Sequence, residues 1–314
     1  MKTYTVRLYQ NTDFDLWNDF LTKAKNATFL FHRHFMEYHE DRFSDYSLIV
    51  ETESKWVAVL PANVVENQVF SHQGLTYGGL VYDEKMDADK IRLIWDPILD
   101  FLRNQKKNNL IYKPILPFYT QSSSDEMVYF LFKNKAKLYR KELNLAIDFT
   151  KKWSISKSKM KHFRRVSDSD LEIRKEQNFE LFWNSVLIPR LEEKHQAKPV
   201  HSLDEIEKLA IQFPQNILQY NVYFEDEIVA GITLFHFGNG VKSQYGATTI
   251  LGEKMRALDF LFINLIDDFK EIVTFFDMGT VTENNELGYN SGLLKQKEEL
   301  GCSVYTQDFY KLTL

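Results

Sequence analysis

Hydrophobic positions in the first half of the chain switch between strand-like and helical spacing. Residues 3–8 alternate polar and apolar side chains, which predicts a strand, and residues 13–25 place Phe14, Trp17 and Phe20 on one helical face. The elements predicted after these are, in order, a helix over 29–43, paired strands at 47–52 and 56–64, a strand beginning at 69–71, a helix over 89–105 notched by Pro97, and a strand at 110–115.

The second half of the chain repeats this order of elements. Ser202 followed by Glu205 has the capping-box spacing that begins a helix. The predicted elements are a helix over 180–193, the helix from 202, a hairpin of 217–224 and 228–237, a strand at 241–247, a helix over 256–269 and a strand at 272–276. Because the same succession occurs twice, we infer an internal duplication.

Length and composition predict two soluble domains. The chain has 314 residues, and roughly 150 per domain is usual, so we place the domains at 1–150 and 151–314. Cys302 is the only cysteine, which excludes an internal disulfide and suits a reducing compartment. The N-terminus lacks the apolar core of a signal peptide, and no window approaches the ~18 consecutive apolar residues of a spanning helix. A cytoplasmic location without a transmembrane segment is therefore expected.

Charge is distributed unevenly within an acidic chain. The net charge is −5, but residues 133–165 hold twelve Lys or Arg and only two acids, Glu142 and Asp148. A basic block of this kind attracts phosphates locally even when the whole molecule does not. It is equally compatible with a solvated helix face. Aromatic residues interleave too sparsely there for a nucleic-acid stacking platform, so DNA is not expected, while a tRNA can still dock by charge.

The segment from 275 to 301 carries the most specific motif, reading FFDMGTVTENNELGYNSGLLKQKEELG. Its D-x-G at Asp277–Gly279 and its K-x-x-L-G at Lys297–Gly301 resemble the C-terminal signature of the Fem-type transferases. Three further stretches resemble sequences of Fem-type proteins: the Y-G-G run at 77–79, the basic run at 156–165 and the segment at 188–202 that ends in His-Ser. Enzymes of that family have the GNAT acyltransferase fold and join an acyl or aminoacyl group to an amine.

The resemblance implies a fold and a division of labour. The expected fold class is α/β (α+β), with two tandem GNAT-like acyltransferase domains, each a mixed, mostly antiparallel sheet flanked by helices. The half at 1–150 is expected to shape the acceptor cleft and to be inert. The half at 151–314 is expected to bind the donor and to carry the chemistry.

Three residues are candidates for catalysis. The resemblance implies that Lys297 reaches the donor's phosphate or the developing negative charge, although LLKQKEEL also fits an ordinary surface helix with solvated lysines. Asp277 is expected at a strand end, where it either orients the amine or accepts its proton, or caps the Gly279 turn. Tyr245 is a candidate proton donor to the leaving group.

Other candidates surround the expected donor and acceptor sites. Donor binding is assigned to a strand-to-helix loop, where Glu253 would oppose a phosphate and where the candidates are Thr248, Gly252, Lys254 and Arg256. The acceptor candidates are Arg33, Tyr38, Arg190, His195, His201, Tyr289 and Asn290. A metal site at His32, His34 and His39 is rejected, since no fourth ligand completes it.

We therefore predict an enzyme that transfers an acyl group from acyl-CoA, such as acetyl-CoA, or an aminoacyl group from tRNA. The expected acceptor is the amine of a nucleotide- or lipid-linked amino-sugar precursor of the cell envelope, small or lipid-linked and anionic, which allows peripheral association with a membrane. One alternative is an aminoacyl-tRNA-dependent transferase that builds peptidoglycan bridges. The other is a non-catalytic GNAT-fold module that binds an anionic glycan precursor.

Overall fold

A computed structural model describes residues 3–120, 122–167 and 169–314, apart from the side chain of His195. The chain forms two compact units, Met1–Glu142 with Thr306–Leu314, and Leu143–Tyr305. These units differ from the division at residue 150 expected from the sequence, because the last nine residues belong with the first unit. That division into an acceptor half and a donor half stays a prediction.

The first unit contains short strands and one long helix. Its elements are β1 (Thr5–Leu8), α1 (Phe14–Leu21), α2 (Arg33–Met36), β2 (Leu48–Thr52), β3 (Lys55–Leu60), β4 (Asn63–Val65), β5 (Gln68–Phe70), β6 (Val81–Tyr82), α3 (Ala88–Asn104), β7 (Asn109–Tyr112), α4 (Glu126–Lys133) and the first residues of β8 (Lys137–Asp148). Strands β1, β2, β3 and β6 form one sheet in that order, entirely antiparallel.

A second sheet of this unit pairs β4, β5 and β7 with the C-terminal residues Tyr310–Thr313. Helix α3 supplies much of the core, through Ile91, Ile94, Ile98 and Leu102. These residues recur at helical spacing, as the sequence predicted, and Pro97 lies inside the helix.

The predicted helix over 29–43 is not continuous. It consists of a 3-10 turn at Phe29–Phe31, the single turn α2, and another 3-10 turn at Glu37–His39. His32 is extended, with ψ near 137°, and its side chain accepts a hydrogen bond from the backbone N–H of His34. This cap ends one turn and begins the next, which apolar spacing alone does not reveal.

The second unit contains longer strands. After β8, its elements are α5 (Lys157–Ser167), β9 (Leu171–Glu176), α6 (Glu180–Phe182), a π-helical segment (Trp183–Leu187), α7 (Ile188–His195), α8 (Leu203–Gln212), β10 (Ile217–Phe224), β11 (Glu227–His236), β12 (Gly240–Thr248), α9 (Ile250–Met255), α10 (Ala257–Phe269), β13 (Phe275–Thr280), α11 (Ser291–Glu299) and the first residues of β14 (Ser303–Thr313). Strands β8, β13, β12, β11, β10 and β9 are neighbours in that order.

Strands β12 and β13 pair in parallel, and they separate soon after they meet. Their ladder joins Gly240–Lys242 to Phe275–Asp277. The ladder of β12 with β11 continues to Thr248 on the other side. Beyond Lys242, therefore, one edge of β12 is not paired with β13, and this opening lies beside Asp277.

Several local predictions are confirmed in this unit. Both strands of the 217–237 hairpin form, and Ser202 and Glu205 make the reciprocal bonds of a capping box. The predicted strand at 272–276 begins only at Phe275 and continues through Thr280, because residues 272–274 form the connection from α10. Among the described residues, no helix combines the length and apolar character needed to cross a membrane.

Candidate functional site

Lys297 lies on α11 and is buried, with only 9% of its surface exposed. Its Nζ donates hydrogen bonds to the carbonyl oxygens of Gly279 and Thr280, each at 3.1 Å. Lys295, two residues earlier on the same helix, is exposed. The alternative in which both lysines are solvated is therefore wrong for Lys297.

Asp277 lies inside β13 rather than at its end and is fully buried. Its Oδ1 accepts hydrogen bonds from the Gly279 backbone N–H at 2.7 Å and from Asn144 Nδ2 at 2.8 Å. The contact with Gly279 caps a turn in which that glycine has φ near +76°, a region that favours glycine. The capping role considered from the sequence is thus present, and a direct role in catalysis stays a prediction.

Lys242 and Asn144 complete this cluster, and neither residue lies in a motif recognised in the sequence. Lys242 Nζ lies 3.2 Å from Asp277 Oδ2, and both groups are buried. Strand pairing places them together, since Lys242 is directly opposite Asp277 on β12 and β8 brings Asn144 to the other side. We call Lys297, Lys242, Asp277 and Asn144 the lysine–aspartate cluster.

The electrostatics of the lysine–aspartate cluster bring the pKa of one buried ammonium, that of Lys297, close to neutrality. Burial, and then the positive charge of Lys242, lower the pKa of Lys297 to about 8, although Asp277 acts in the opposite direction. Burial also raises the pKa of the Cys302 thiol, so that it stays protonated at neutral pH. A lysine with a pKa near neutrality can hold or release a proton under ordinary conditions.

Tyr245 and His201, predicted separately, are in contact. Their Nδ1 and hydroxyl oxygen are 2.6 Å apart, and the His201 backbone N–H donates to the same hydroxyl at 3.2 Å. Burial raises the pKa of Tyr245 to about 12, so the phenol is protonated at neutral pH. The ring of Trp183, in the π-helical segment, packs edge-on against Tyr245. The hydroxyl therefore tethers the loop before α8 to β12, and its role as a proton donor stays a prediction.

The predicted donor loop forms the first turn of α9. Thr248 donates its hydroxyl proton to the Val229 carbonyl at 3.0 Å, and the Gly252 N–H donates to the Thr249 hydroxyl at 3.0 Å. A Cβ at Gly252 would lie 2.1 Å from the Val229 oxygen, so close packing on β11 requires glycine there. This glycine N–H is engaged in capping, and phosphate binding at the loop stays a prediction.

The two predicted cations of this loop differ in environment. Arg256 joins α9 to α10 in the left-handed conformation, and its guanidinium lies 3.9 Å from Asp259. Lys254 is exposed on α9. Glu253, expected to oppose a phosphate, instead forms ion pairs with Arg190 and Lys194.

Arg190 lines a cleft of about 400 Å³ together with Val186, Glu193, Val229 and Thr249. Its guanidinium forms ion pairs with Glu193 and Glu253. An acceptor carboxylate or phosphate would therefore have to compete with two glutamates for this group. Thr248 lines the same cleft, so the structure brings Arg190 close to one of the predicted donor-binding residues.

Tyr289 and Asn290 lie immediately before α11. Asn290 is its N-cap and accepts the Leu293 N–H at 2.9 Å, while its amide donates to Glu283 at 2.8 Å. Tyr289 packs on the core of the second unit. Both residues thereby fix the start of the helix that carries Lys297, and their contact with substrate stays a prediction.

Arg33 and Tyr38 belong to the first unit. Arg33 is buried, forms ion pairs with Glu37 at 2.8 Å and Asp45 at 2.6 Å, and lies over the Tyr9 ring. The ring of Tyr38 stacks on His39. These contacts give Arg33 a structural role within its own unit. His195 ends α7, and its side chain lies outside the described part of the chain.

The basic block contributes one buried anchor and several exposed charges. Lys159 on α5 pairs with Asp259 at 2.5 Å, while Lys157, Lys161, Arg164 and Arg165 are exposed. The positive charge of Arg256, then burial, and then the charges of the neighbouring basic residues lower the pKa of His162, so Arg256 lies beside this helix. No group of three or more His, Cys, Asp or Glu within the described ranges is arranged to hold a metal.

No family model and no curated protein matches the sequence. Solved structures do match. FemX aligns over 98% of this chain and 97% of its own, with a TM-score of 0.70 at 10% identity. L-PGS from Bacillus licheniformis aligns over 96% and 90%, with a TM-score of 0.60 at 14% identity. A tandem GNAT protein from the clavulanic acid biosynthesis pathway aligns over 100% and 98%, with a TM-score of 0.52 at 8% identity.

These likenesses establish the fold. The chain has a Fem-like, GNAT-type architecture of helices and sheets, consistent with tandem GNAT-like domains, and the fold predicted from the sequence is confirmed. At identities of this size the comparisons speak to fold alone, so the activity rests on the chemistry of the residues.

Proposed function

We propose that this protein is an N-acyltransferase that forms an amide on the amine of an amino-sugar envelope precursor linked to a nucleotide or a lipid. The observation that carries the proposal is the lysine–aspartate cluster, which buries two lysines beside one aspartate where β12 and β13 separate. Burying an excess positive charge costs stability, and proteins retain such costs mainly at functional sites.

The chemistry follows from the groups present. The acceptor nitrogen attacks the donor carbonyl carbon, the C–N bond forms, and the C–S bond of a thioester or the C–O bond of an ester breaks. The nitrogen loses a proton and the leaving group gains one. An ammonium has three N–H groups, and two of those on Lys297 bind carbonyls. We assign the third to the oxyanion that develops on the donor carbonyl.

Each other member of the cluster has a supporting role. Asp277 holds the Lys242 ammonium in place and fixes the Gly279 turn, whose carbonyl in turn binds Lys297. Lys242 adds positive charge next to Lys297, which contributes to the lowered pKa of Lys297 and adds to the positive field around the expected oxyanion. The donor's acyl arm would lie along the edge of β12 that β13 leaves unpaired after Lys242.

Acyl-CoA is the favoured donor and aminoacyl-tRNA the second. The second unit has two short helices, α7 and α8, between residues 188 and 212, with no long helical arm that would grip a large RNA. The exposed cations of α5 with Arg256 would bind phosphates of either donor. The reaction would take place in the cytoplasm, with peripheral membrane association when the acceptor is lipid-linked.

The non-catalytic alternative is supported by the donor loop. The Gly252 N–H is engaged by Thr249, and Glu253 is paired with Arg190 and Lys194. A protein with such a loop would bind an anionic glycan precursor and transfer nothing. The peptidoglycan-bridge alternative differs only in donor and acceptor, and the same cluster would serve it.

Donor binding tests the proposal first. The full-length protein is heated with acetyl-CoA, longer acyl-CoAs, free CoA or charged tRNA, and its melting temperature is recorded. A ligand at 100 times its Kd stabilises the folded state by about 2.7 kcal/mol, which shifts the melting temperature visibly. We expect a shift with an acyl-CoA, and then an amide product with an amino-sugar nucleotide, detected by its mass.

Lys297→Ala and Lys295→Ala form a matched pair on one helix. We expect Lys297→Ala to slow transfer by ~10²–10³-fold and to keep acceptor binding, while Lys295→Ala retains both. If charged tRNA alone shifts the melting temperature, the donor is an aminoacyl-tRNA and not an acyl-CoA. If neither donor shifts the melting temperature, or if Lys297→Ala transfers as fast as the wild type, the proposed site is wrong.

A further inference from the structure

A cavity of about 540 Å³ lies against β9, β10 and α8 in the second unit. It is a different place from the lysine–aspartate cluster, because β11 and β12 lie between β10 and β13 in the sheet. Its volume falls within the roughly 300–1,000 Å³ range of small-molecule sites. Phe179, Ile211 and Ile217 contribute apolar surface to its wall, and Glu176 contributes a carboxylate.

A chain of hydrogen bonds runs through the sheet and ends at Glu176. The Thr233 hydroxyl donates to Gln219 Oε1 at 2.6 Å, and Gln219 Nε2 donates to Asn221 Oδ1 at 2.7 Å. Asn221 Nδ2 then donates to Glu176 Oε2, which also accepts from the Tyr223 hydroxyl at 2.9 Å. Every donor in this chain points toward the carboxylate.

The hydrogen-bond chain is buried at some cost. Thr233, Gln219 and Asn221 are fully buried in the middle of a sheet, where apolar side chains would pack without needing partners. Gly231 makes room for it, since a Cβ there would lie 2.8 Å from Asn221 Oδ1 and 2.4 Å from the Phe182 ring. Aligned bonds of this kind reinforce one another and hold the last acceptor in one orientation. The chain therefore fixes an anionic group at the cavity wall.

The cavity wall also contains other charged side chains. Glu207 on α8 is a second carboxylate of the lining, and Lys175 is the cation among the lining residues. Lys175 is exposed, with its Nζ 5.8 Å from the Tyr220 ring, while Glu176 is partly buried. The fixed and less exposed charge is thus negative.

We propose that this cavity binds an organic cation, an ammonium group carried on an apolar body. The ammonium pairs with Glu176, which the hydrogen-bond chain holds in place, and the apolar body packs on Phe179, Ile211 and Ile217. The proposal is independent of the proposed acyl transfer, because it uses none of the residues of the lysine–aspartate cluster.

Calorimetric titration of the full chain with hexylamine, 1-hexanol and hexanoate tests the role of charge. The three probes share an apolar body and differ in their head group. We expect hexylammonium at neutral pH to bind about tenfold or more tightly than hexanol, because a hydrogen bond to a charged group contributes roughly that factor in affinity. Hexanoate should not bind. Equal affinity for hexylammonium and hexanol, or no heat with hexylammonium at millimolar concentration, would overturn the proposal.

Two variants and a control identify the residue. Glu176→Gln keeps an acceptor for Asn221 and Tyr223 but removes the charge, and should weaken hexylammonium about tenfold. Ile211→Lys changes an exposed wall residue, 76% accessible, and should weaken it similarly by repulsion without disturbing the hydrogen-bond chain. Glu172→Gln alters an exposed carboxylate of the same strand outside the cavity and should bind like the wild type. Wild-type affinity in both Glu176→Gln and Ile211→Lys would contradict the assignment.

Discussion

Arg33 and Lys297 are buried cations in different units, and their surroundings are opposite. Arg33, 2% exposed, meets two carboxylates, Glu37 and Asp45, and lies on the Tyr9 ring. Lys297, 9% exposed, meets two carbonyl oxygens and shares its cluster with another lysine. The structure compensates the first charge fully and the second only in part.

The pKa values express this difference. The carboxylates of Asp45 and Glu37 raise the pKa of Arg33 against the effect of burial, so its charge is permanent. Burial and Lys242 lower the pKa of Lys297 to about 8. Removing a fully paired buried cation leaves its partners uncompensated and destabilises the fold, whereas a partly paired cation is available for a ligand or a proton. The comparison therefore favours a structural role for Arg33 and agrees with the proposed chemical role of Lys297.

The largest effect is expected on activity at Lys297. Removing one electrostatic stabiliser of an oxyanion commonly costs ~10²–10³-fold in rate, so Lys297→Ala should lose transfer by about that factor. Lys297→Arg should keep part of the rate and should lose the decline of the wild-type rate above about pH 8, because its charge does not titrate. Steady-state rates across pH measure both. If the rate of Lys297→Arg declines above about pH 8 as the wild-type rate does, the decline does not arise from the titration of Lys297.

Arg33→Met should reduce stability rather than chemistry. It removes the common partner of Glu37 and Asp45 and should lower the free energy of unfolding by about 3 kcal/mol, as measured by urea denaturation. Arg42→Met is the matched control, since that arginine is more exposed and its pair with Asp41 is 3.7 Å long. Loss of acceptor binding at unchanged stability would instead support Arg33 as an acceptor contact.

The stability of the wild type should depend on pH through Lys297. The pKa of this group is lowered from 10.5 in the unfolded chain to about 8 in the folded protein, so between these values the unfolded state binds more protons. Stability from this group therefore rises as pH increases through that window. Relative to Lys297→Met, the wild type should gain about 2 kcal/mol from about pH 7 to pH 9.5. A constant difference across that range would show that Lys297 has an ordinary pKa.

Tyr245→Phe should have the smallest effect on stability, about 1 kcal/mol, because it removes the hydrogen bonds to His201 and little apolar contact. Tyr139→Phe, at an exposed position, is the control and should change stability little. Thermal unfolding measures both. If the folded Tyr245→Phe protein also loses transfer more than tenfold, its hydroxyl acts in the chemistry as well as in the tether.

The sequence determined the features that depend on neighbouring residues. Apolar spacing located α3 and the 217–237 hairpin, and the Ser202–Glu205 spacing located the start of α8. The D-x-G and K-x-x-L-G motifs pointed to Lys297, Asp277 and the Fem-like fold. Local propensity and spacing suffice in these cases, because the interacting groups are a few residues apart. Apolar spacing failed where the backbone is locally irregular: it predicted one helix over 29–43, where the structure has three separate short turns.

Only the tertiary structure decided which side chains meet. Lys242 and Asn144 are 35 and 133 residues from Asp277, and Tyr245 is 44 residues from His201. The register of β12 and β8 against β13 brings Lys242 and Asn144 to Asp277. The packing of the loop before α8 against β12 brings His201 to Tyr245. No local pattern marks such partners, because strand pairing is set by the packing of whole elements. For the same reason, the sequence around Lys297 does not predict its lowered pKa, because the burial that causes it arises only when the whole chain has folded.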